Sequence, residues 1–150
     1  MRQATDTKLR IHAAVALLRL GDPSAQRTLL GDLDNLAAEW LPYFAWVAAS
    51  IDEPAARSAL RAALEKRSRA TDVNLALACA AVLLAWDPDS GFFRFLDALA
   101  APTAQERNVA ASYLKRNRSR KVTFVMRRAL ARETRPYSRD QLRRLLDQRS

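Results

Sequence analysis

Cysteine, histidine and glycine are scarce in this chain of 150 residues, which contains one, one and three of them respectively. Because Cys79 is alone, an intrachain disulfide is excluded, and a single histidine, His12, cannot assemble a zinc site from the usual Cys and His ligands. Three glycines also leave no glycine-rich loop for phosphates. The sequence therefore predicts no metal, no cofactor and no catalytic residue.

Long apolar runs are missing as well. No stretch of about 18 uncharged apolar residues is present, which argues against a membrane span. The first residues, Met1 to Asp6, lack the apolar centre of a secretory signal peptide. We therefore expect a cytoplasmic protein that has no membrane partner.

Acidic residues become rare only in the last third of the chain. Residues 1–100 hold eleven Lys or Arg and twelve Asp or Glu, whereas residues 101–150 hold fourteen basic and four acidic residues. The net charge of +9 is thus concentrated in one segment. Such an asymmetry indicates an anionic partner.

Alanine, leucine and arginine, which are strong helix formers, dominate the composition. They are arranged in a repeating unit of an apolar helix, a turn with Pro23, Pro54 or Pro88, and a second helix. These prolines are 31 and 34 residues apart, and a two-helix unit at this period is typical of a solenoid. The predicted repeats cover residues 6–34, 35–66, 71–100 and 103–132, and a last helix covers residues 138–149 of a single domain.

Local signals refine these helices. Gly21 is expected to end the first helix in a left-handed conformation, and Asp72 is expected to cap the third unit. Pro42 lies inside an otherwise helical pattern, so the helix should bend or restart between residues 39 and 43. Two further stretches match the capping-box pattern, Thr103-x-x-Glu106 and Ser138-x-x-Gln141.

The first unit also carries a specific motif, Arg10-x-x-Ala13-Ala14-x-Ala16-Leu17-x-x-Leu20-Gly21-Asp22-Pro23-x-Ala25, whose opening recurs from Arg107 to Leu114. This motif resembles the HEAT-like repeat of phycobilisome lyases, over roughly residues 6–132. The resemblance implies an all-α, armadillo-like fold, a right-handed α-α superhelix of about four helical hairpins plus a C-terminal helix. It also implies a concave face lined by the second helices. We expect the chain to be either a minimal array or a segment of a longer one. Most members of this family are scaffolds, while a few are pigment lyases or DNA-alkylation repair glycosylases.

Single polar residues have mostly structural explanations. Cys79 lies among apolar residues and is expected in the core, and His12 is expected to pack on the first helix. Asp22, Asp52 and Asp87 lie beside prolines, where turn geometry accounts for them. Asp87, next to Trp86, is the one candidate for glycosylase chemistry and the least favoured interpretation.

Aromatic residues crowd the second unit, at Trp40, Tyr43, Phe44 and Trp46. Phe44 fits the apolar stripe of the core. Trp40 and Tyr43 either join the core or face outward as a contact patch, because aromatic side chains are favoured anchors of interfaces. Both interpretations stay open at the level of sequence.

The strongest functional signal is the basic stretch after residue 114. Residues 116–121 are expected to form an exposed ridge between two helices, and Phe124 lies off the apolar stripe, among arginines. Three interpretations stay open: a solvated surface, a site for an acidic protein, and a site for nucleic acid. The candidate partner-binding residues are Arg116, Arg118, Arg120, Lys121, Phe124, Arg127, Arg128 and Arg132.

From these observations we predict a non-catalytic scaffold for protein–protein interaction whose basic end binds an acidic protein partner. The alternative is a nucleic-acid-binding HEAT-like protein, with a repair glycosylase as its least favoured form. The oligomeric state does not follow from the sequence. Further contacts are expected from arginines of the second helices, Arg27, Arg57, Arg61 and Arg94.

Overall fold

The computed structural model describes residues 2–149, and within that range it contains helices and turns with no strand. The predicted all-α class is confirmed. A single 3-10 turn, Ala38–Trp40, precedes the third helix. The nine α-helices of residues 2–149 are α1 (Arg2–Arg19), α2 (Pro23–Asp34), α3 (Leu41–Ala49), α4 (Pro54–Arg67), α5 (Val73–Trp86), α6 (Pro88–Leu99), α7 (Ala104–Arg116), α8 (Arg120–Arg132) and α9 (Pro136–Asp147).

Proline begins many of the helices that follow a turn. It occupies the first or second position of α2, α3, α4, α6 and α9, where a backbone N–H would have no partner inside the helix. Asp22 and Asp72 cap α2 and α5 by accepting the backbone N–H of Ser24 and Asn74, at 2.9 and 3.0 Å. Gly21 ends α1 with a φ of 86°, as the sequence predicts.

Two predicted capping boxes do not form. Helix α9 begins at Pro136, two residues before its predicted start, so Ser138 lies inside the helix and its hydroxyl donates to the Arg135 carbonyl. Thr103 is the N-cap residue of α7, but its side chain makes no capping hydrogen bond. Pro42 acts as predicted, because α3 restarts at Leu41 after the 3-10 turn with the proline as its second residue.

Helix α5 is the centre of the packing. It carries no charged residue, and eight of its 14 residues are buried. Ala78 and Val82 join the apolar cluster of α1 to α4, whereas Leu77 and Leu84 join the cluster of α6 to α9. Gly91 of α6 lets the two backbones touch, since a Cβ there would lie 2.4 Å from the Leu84 nitrogen. No helix within residues 2–149, α5 included, is long and apolar enough to cross a membrane.

Each helix packs mainly against helices that are close to it in the sequence. The first helices of successive units contact one another in turn, α1 with α3, α3 with α5, α5 with α7, and α7 with α9. Among the second helices, α2 contacts α4 and α6 contacts α8. The odd-numbered helices therefore form one continuous row of contacts.

Three helices share an arginine contact that closes the turn before them, which we call the arginine latch. The fourth residue of α4, α7 and α9 is an arginine, and its side chain donates to a carbonyl six residues earlier. This carbonyl lies outside the regular hydrogen bonding of the helices, so the arginine satisfies it. The donors and acceptors are Arg57 and Ile51 at 2.6 Å, Arg107 and Ala101 at 2.6 Å, and Arg139 and Glu133 at 2.8 Å.

Other arginines connect one unit to the next. Arg19 of α1 donates to Glu53 at 2.8 Å, and Arg67 of α4 donates to both carboxylate oxygens of Asp34 at 2.7 Å. The partners are 34 and 33 residues apart in the chain. These separations are close to the spacing of the turn prolines. Each contact therefore connects a residue of the first unit with a residue of the second.

Candidate functional site

The basic residues at the C-terminal end of α7, in the turn 117–119 and on the outer face of α8 form a surface that we call the basic ridge. It has eight members, seven cations and one phenylalanine, spread over these elements. They are the residues that the sequence singled out, Arg116, Arg118, Arg120, Lys121, Phe124, Arg127, Arg128 and Arg132, and every one is exposed.

The sequence of α8 explains why its cations point outward. Val122, Val125 and Met126 are buried against the core, so the residues on the opposite side of the helix face solvent. No acidic residue occurs between Arg120 and Arg132. The helix is therefore basic along its whole exposed face.

Most cations of the basic ridge have no carboxylate partner. Arg128 is paired with Asp89 of α6, whereas no ion pair within residues 2–149 involves the other six cations of the ridge. Arg120 and Lys121 lie in the first turn of α8, where the helix dipole disfavours positive charge. Anionic groups of a partner would therefore meet charge that the fold leaves unneutralised.

Phe124 is the apolar member of the ridge. Its side chain is 63% exposed, and the guanidinium of Arg128 lies 5.8 Å from the centre of its ring. A cavity of about 480 Å³ separates Phe124, Arg120 and Lys121 from the turn between α5 and α6, where Trp86 and Asp87 line it. Two aromatic residues, two cations and two aspartates, Asp87 and Asp89, therefore line one cavity. Such rings and cations suit a planar anionic group.

A second concave surface, which we call the α5 groove, lies over α5 between α3 and α7. Its floor contains Ala81 and Ala85, whose small side chains leave the surface of the helix open. This part of the groove has a volume of about 530 Å³. The wall on α3 includes Pro42, Tyr43 and Trp46, with Glu39 of the preceding 3-10 turn beside them. The wall on α7 is formed by Tyr113, Arg116 and Asn117.

The α5 groove continues toward the N-terminal end of α5 as a smaller space of about 290 Å³. Pro42, Tyr113 and Arg116 line both spaces, so the two adjoin. In the smaller space, Asn74 of α5 and Asn108 of α7 supply polar amides. The groove therefore has an aromatic end and an amide end.

The aromatic wall is held by contacts between rings. Trp40 and Trp46 both pack against Tyr43, with ring centres 6.3 and 5.8 Å apart. His12 shares a hydrogen bond of 2.6 Å with the Tyr43 hydroxyl, which fixes the tyrosine in place. Phe44 is buried as predicted, but the outward-facing ring is that of Trp46, which is 69% exposed, whereas Trp40 and Tyr43 are half-buried.

Two arginines of the second helices are occupied within the fold. Arg57 forms an arginine latch, and Arg94 donates to the Ser68 carbonyl at 3.2 Å and lies 3.6 Å from Glu106. Their side chains therefore hold turns and helices in position. The α5 groove is built by first helices, α3, α5 and α7, rather than by the second helices that the family resemblance implies.

The buried titratable groups near the α5 groove are held in their neutral forms. Cys79 is fully buried, as predicted, and burial raises the pKa of its thiol to about 12. Burial also raises the pKa of the Tyr113 hydroxyl above its usual range. Neither group is a nucleophile at neutral pH. Within residues 2–149, no three His, Cys, Asp or Glu side chains lie together in a way that could hold a metal ion.

Comparisons with known proteins give no relative from which a function could be transferred. No protein-family model matches the chain. No curated protein and no solved structure matches it either. The resemblance to HEAT-like repeats therefore depends on the residues of the chain itself.

Proposed function

We propose that this chain is a HEAT-like α-solenoid, a right-handed superhelix of about four helical hairpins closed by α9, and that it acts in the cytoplasm as a non-catalytic interaction scaffold. The continuous row of odd-numbered helices supports this architecture, because the units of a solenoid stack on their neighbours. At the C-terminal end, α9 contacts α6 as well as α7 and α8, so it packs on two units. The arginine latch recurs at the fourth residue of three helices, but these are one second helix, α4, and two odd-numbered helices, α7 and α9, so it does not follow the period of the repeat.

The partner that we propose for the basic ridge is an acidic protein. The observation that carries this proposal is the absence of carboxylate partners for six of its cations within residues 2–149, although they are adjacent and exposed. Unneutralised charge of one sign accelerates and orients the encounter with a partner of opposite charge. Arg116 belongs both to the ridge and to the wall of the α5 groove, so a protein partner can contact the cations and the aromatic wall together.

A variant with a neutralised ridge tests this proposal. Poly-L-glutamate serves as the acidic polypeptide, and its affinity is measured at low and at physiological salt. We expect neutralisation of the ridge to weaken binding about tenfold or more and to flatten the salt dependence. The ridge variant combines Arg118→Gln, Arg120→Gln, Arg127→Gln and Arg132→Gln.

The matched control removes the same number of positive charges from exposed arginines elsewhere, so that net charge is equal in both variants. None of these arginines has an ion pair within residues 2–149. If the two variants bind poly-L-glutamate equally, net charge alone explains binding and the proposed site is wrong. The control combines Arg2→Gln, Arg27→Gln, Arg69→Gln and Arg143→Gln.

Nucleic-acid binding is the second candidate function, and the exposed Phe124 ring beside the cavity of the ridge favours it. Base stacking on an aromatic ring contributes about 1–3 kcal/mol per base. We therefore expect Phe124→Ala to weaken binding of a single-stranded oligonucleotide about tenfold and to leave poly-L-glutamate binding unchanged. An oligonucleotide that fails to bind even at low salt excludes this candidate.

A further inference from the structure

The α5 groove has the dimensions of a short extended peptide. Its two adjoining spaces touch α5 at Asn74 and at Ala81 to Ala85, and the eleven steps of about 1.5 Å from Asn74 to Ala85 give a length of about 17 Å. At about 3.3 Å per residue, this length holds about five residues of extended chain. Ala81, Ala85 and the buried Leu84 line the floor between the walls, and the two alanines leave the space open.

The aromatic end of the groove is suited to apolar side chains. Trp46 presents a ring that is 69% exposed, and the packing of Tyr43 between His12 and the two tryptophans makes this wall rigid. Rigid, exposed tryptophan and tyrosine rings are frequent anchors of interfaces, because they bury a large area and lose little conformational freedom.

The aromatic end also continues into the basic ridge. Arg116 and Asn117 belong to the wall of the groove, and the turn that follows them contains Arg118. Ala85 lies on the floor of the groove, while the next residue, Trp86, lines the cavity with Arg120 and Lys121. The groove therefore ends close to Arg118, Arg120 and Lys121, which have no ion pair within residues 2–149.

From this continuity we propose that the α5 groove binds an extended segment of a partner protein in which apolar residues are followed by a run of acidic residues. The apolar part lies against Trp46 and Tyr43, and the acidic part lies on the basic ridge, starting at Arg116. The charge of the ridge selects the acidic flank, and the alanine floor admits the apolar part. This inference rests on the proposed function, to which it adds the groove and the chemistry of the partner segment.

Pools of synthetic peptides test the inference with the full chain. Each peptide carries about five randomised positions, the length of the groove, joined to a tail of glutamate, glutamine or lysine. Peptides retained by the immobilised protein are sequenced, and the affinity of enriched peptides is measured by fluorescence polarisation. We expect apolar residues to be enriched at the randomised positions in the glutamate pool, and weaker retention of the other two pools.

Two variants alter the groove and leave the ridge intact. Trp46→Ala removes the exposed ring, and Ala85→Leu fills the floor without changing the charge. Each is expected to weaken an enriched glutamate-tailed peptide about tenfold or more. Phe93→Ala is the control, because this ring is 50% exposed on α6 and lines neither concave surface. It should leave the affinity unchanged, and helix content by circular dichroism confirms that all three variants fold.

The outcomes separate this inference from the proposed function. If retention depends on the glutamate tail alone, with no apolar enrichment and no effect of Trp46→Ala or Ala85→Leu, the groove inference is overturned while the basic ridge remains an acidic-partner site. If the same apolar peptides bind equally well with lysine tails, the proposed preference for an acidic flank is overturned. If no pool is retained, both proposals fail.

Discussion

The two halves of the chain that meet at α5 use arginine in different ways. In α1 to α4 the arginines that connect helices have carboxylate partners in the same half, in the pairs Arg10–Asp32, Arg19–Glu53 and Arg67–Asp34. The half from α6 to α9 also contains arginine–carboxylate pairs, Arg94–Glu106, Arg128–Asp89 and Arg135–Asp97. However, it has many more cations than carboxylates, and much of the surplus lies on the basic ridge. Paired arginines position helices in both halves, whereas unpaired ones remain available to a partner.

This difference separates stability from binding. A paired and partly buried arginine contributes to the free energy of unfolding, because its removal leaves a carboxylate without its hydrogen bonds. An exposed cation among other cations contributes little, and its repulsion by the neighbours lowers stability slightly.

Gly91→Ala should have the largest effect, because it separates α5 from α6 where the two halves meet. The new Cβ would lie 2.4 and 2.6 Å from the nitrogen and Cα of Leu84, which are backbone atoms that cannot rotate away. We expect a loss of about 3 kcal/mol in the free energy of unfolding, measured by urea denaturation. Gly31→Ala in α2 is the control, since no atom lies within 4 Å of its Cβ, and it should gain up to about 1 kcal/mol. Equal stability of both variants contradicts the close approach.

Glu133→Gln should have the second largest effect and tests a paired charge in the C-terminal half. The Glu133 carboxylate is buried and accepts the backbone N–H groups of Thr134 and Arg135 at 3.0 Å. Its hydrogen bonds with Arg135 lower its pKa from 4.5 to about 2. Because the neutral amide cannot replace these charge-assisted bonds, we expect the variant to lose about 2 kcal/mol at neutral pH.

The pH dependence of this loss follows from the direction of the pKa change. A carboxyl group whose pKa is lowered by folding stabilises the fold fully above its unfolded pKa, here 4.5, and loses that contribution as the pH falls toward about 2. The stability difference between the parent protein and Glu133→Gln should therefore shrink when denaturation is repeated between about pH 5 and pH 2. A difference that stays constant across this range means that the charge of Glu133 is not what stabilises the turn.

Arg67→Met should have a smaller effect, because its partner is partly in solvent. The side chains of Arg67 and Asp34 are 20% and 46% exposed, and the hydrogen bond from Arg67 lowers the pKa of Asp34. We expect a loss of about 1 kcal/mol in thermal or chemical denaturation. Arg127→Met on the basic ridge is the matched substitution of an unpaired arginine, and its effect should be close to zero. If both variants lose the same stability, paired and unpaired arginines do not differ in their contribution to the free energy of unfolding.

Lys121→Glu should have the smallest effect and the opposite sign. Lys121 lies in the first turn of α8, where an acidic residue interacts favourably with the helix dipole. We expect a gain of about 0.5 kcal/mol in stability together with weaker binding of poly-L-glutamate. A variant that is less stable than the parent protein would show that the cation has a structural partner.

The helices and their boundaries are predicted from sequence where the local chemistry is decisive. Gly21 and Pro42 act as expected, because left-handed φ and a missing N–H restrict the backbone whatever surrounds it. The predicted capping box at Ser138 is wrong, because Pro136 supplies an equally good helix start two residues earlier. Two competing start signals at one turn cannot be ranked without the packing of the helix.

The candidate site is predictable in one part and hidden in another. The exposure of Phe124 follows from its place off the stripe of Val122, Val125 and Met126, which a single helix determines. The α5 groove needs three helices to be placed together, so the sequence of one helix does not reveal it. Helical periodicity alone does not say whether Tyr43 or Trp46 faces outward. The packing of neighbouring helices decides it, and the exposed ring is that of Trp46.

The arginine latch bears on how a chain of this kind can grow. Donor and acceptor lie only six residues apart in each of the three latches. A single short stretch of sequence therefore encodes both the turn and the contact that closes it. A tandem copy of such a stretch contains both partners of the latch, so the copied turn forms without a matching change elsewhere in the protein. A chain of this kind can therefore be lengthened by duplication of such stretches. The exposed residues of the copies can then diverge in sequence while the latched turns stay the same.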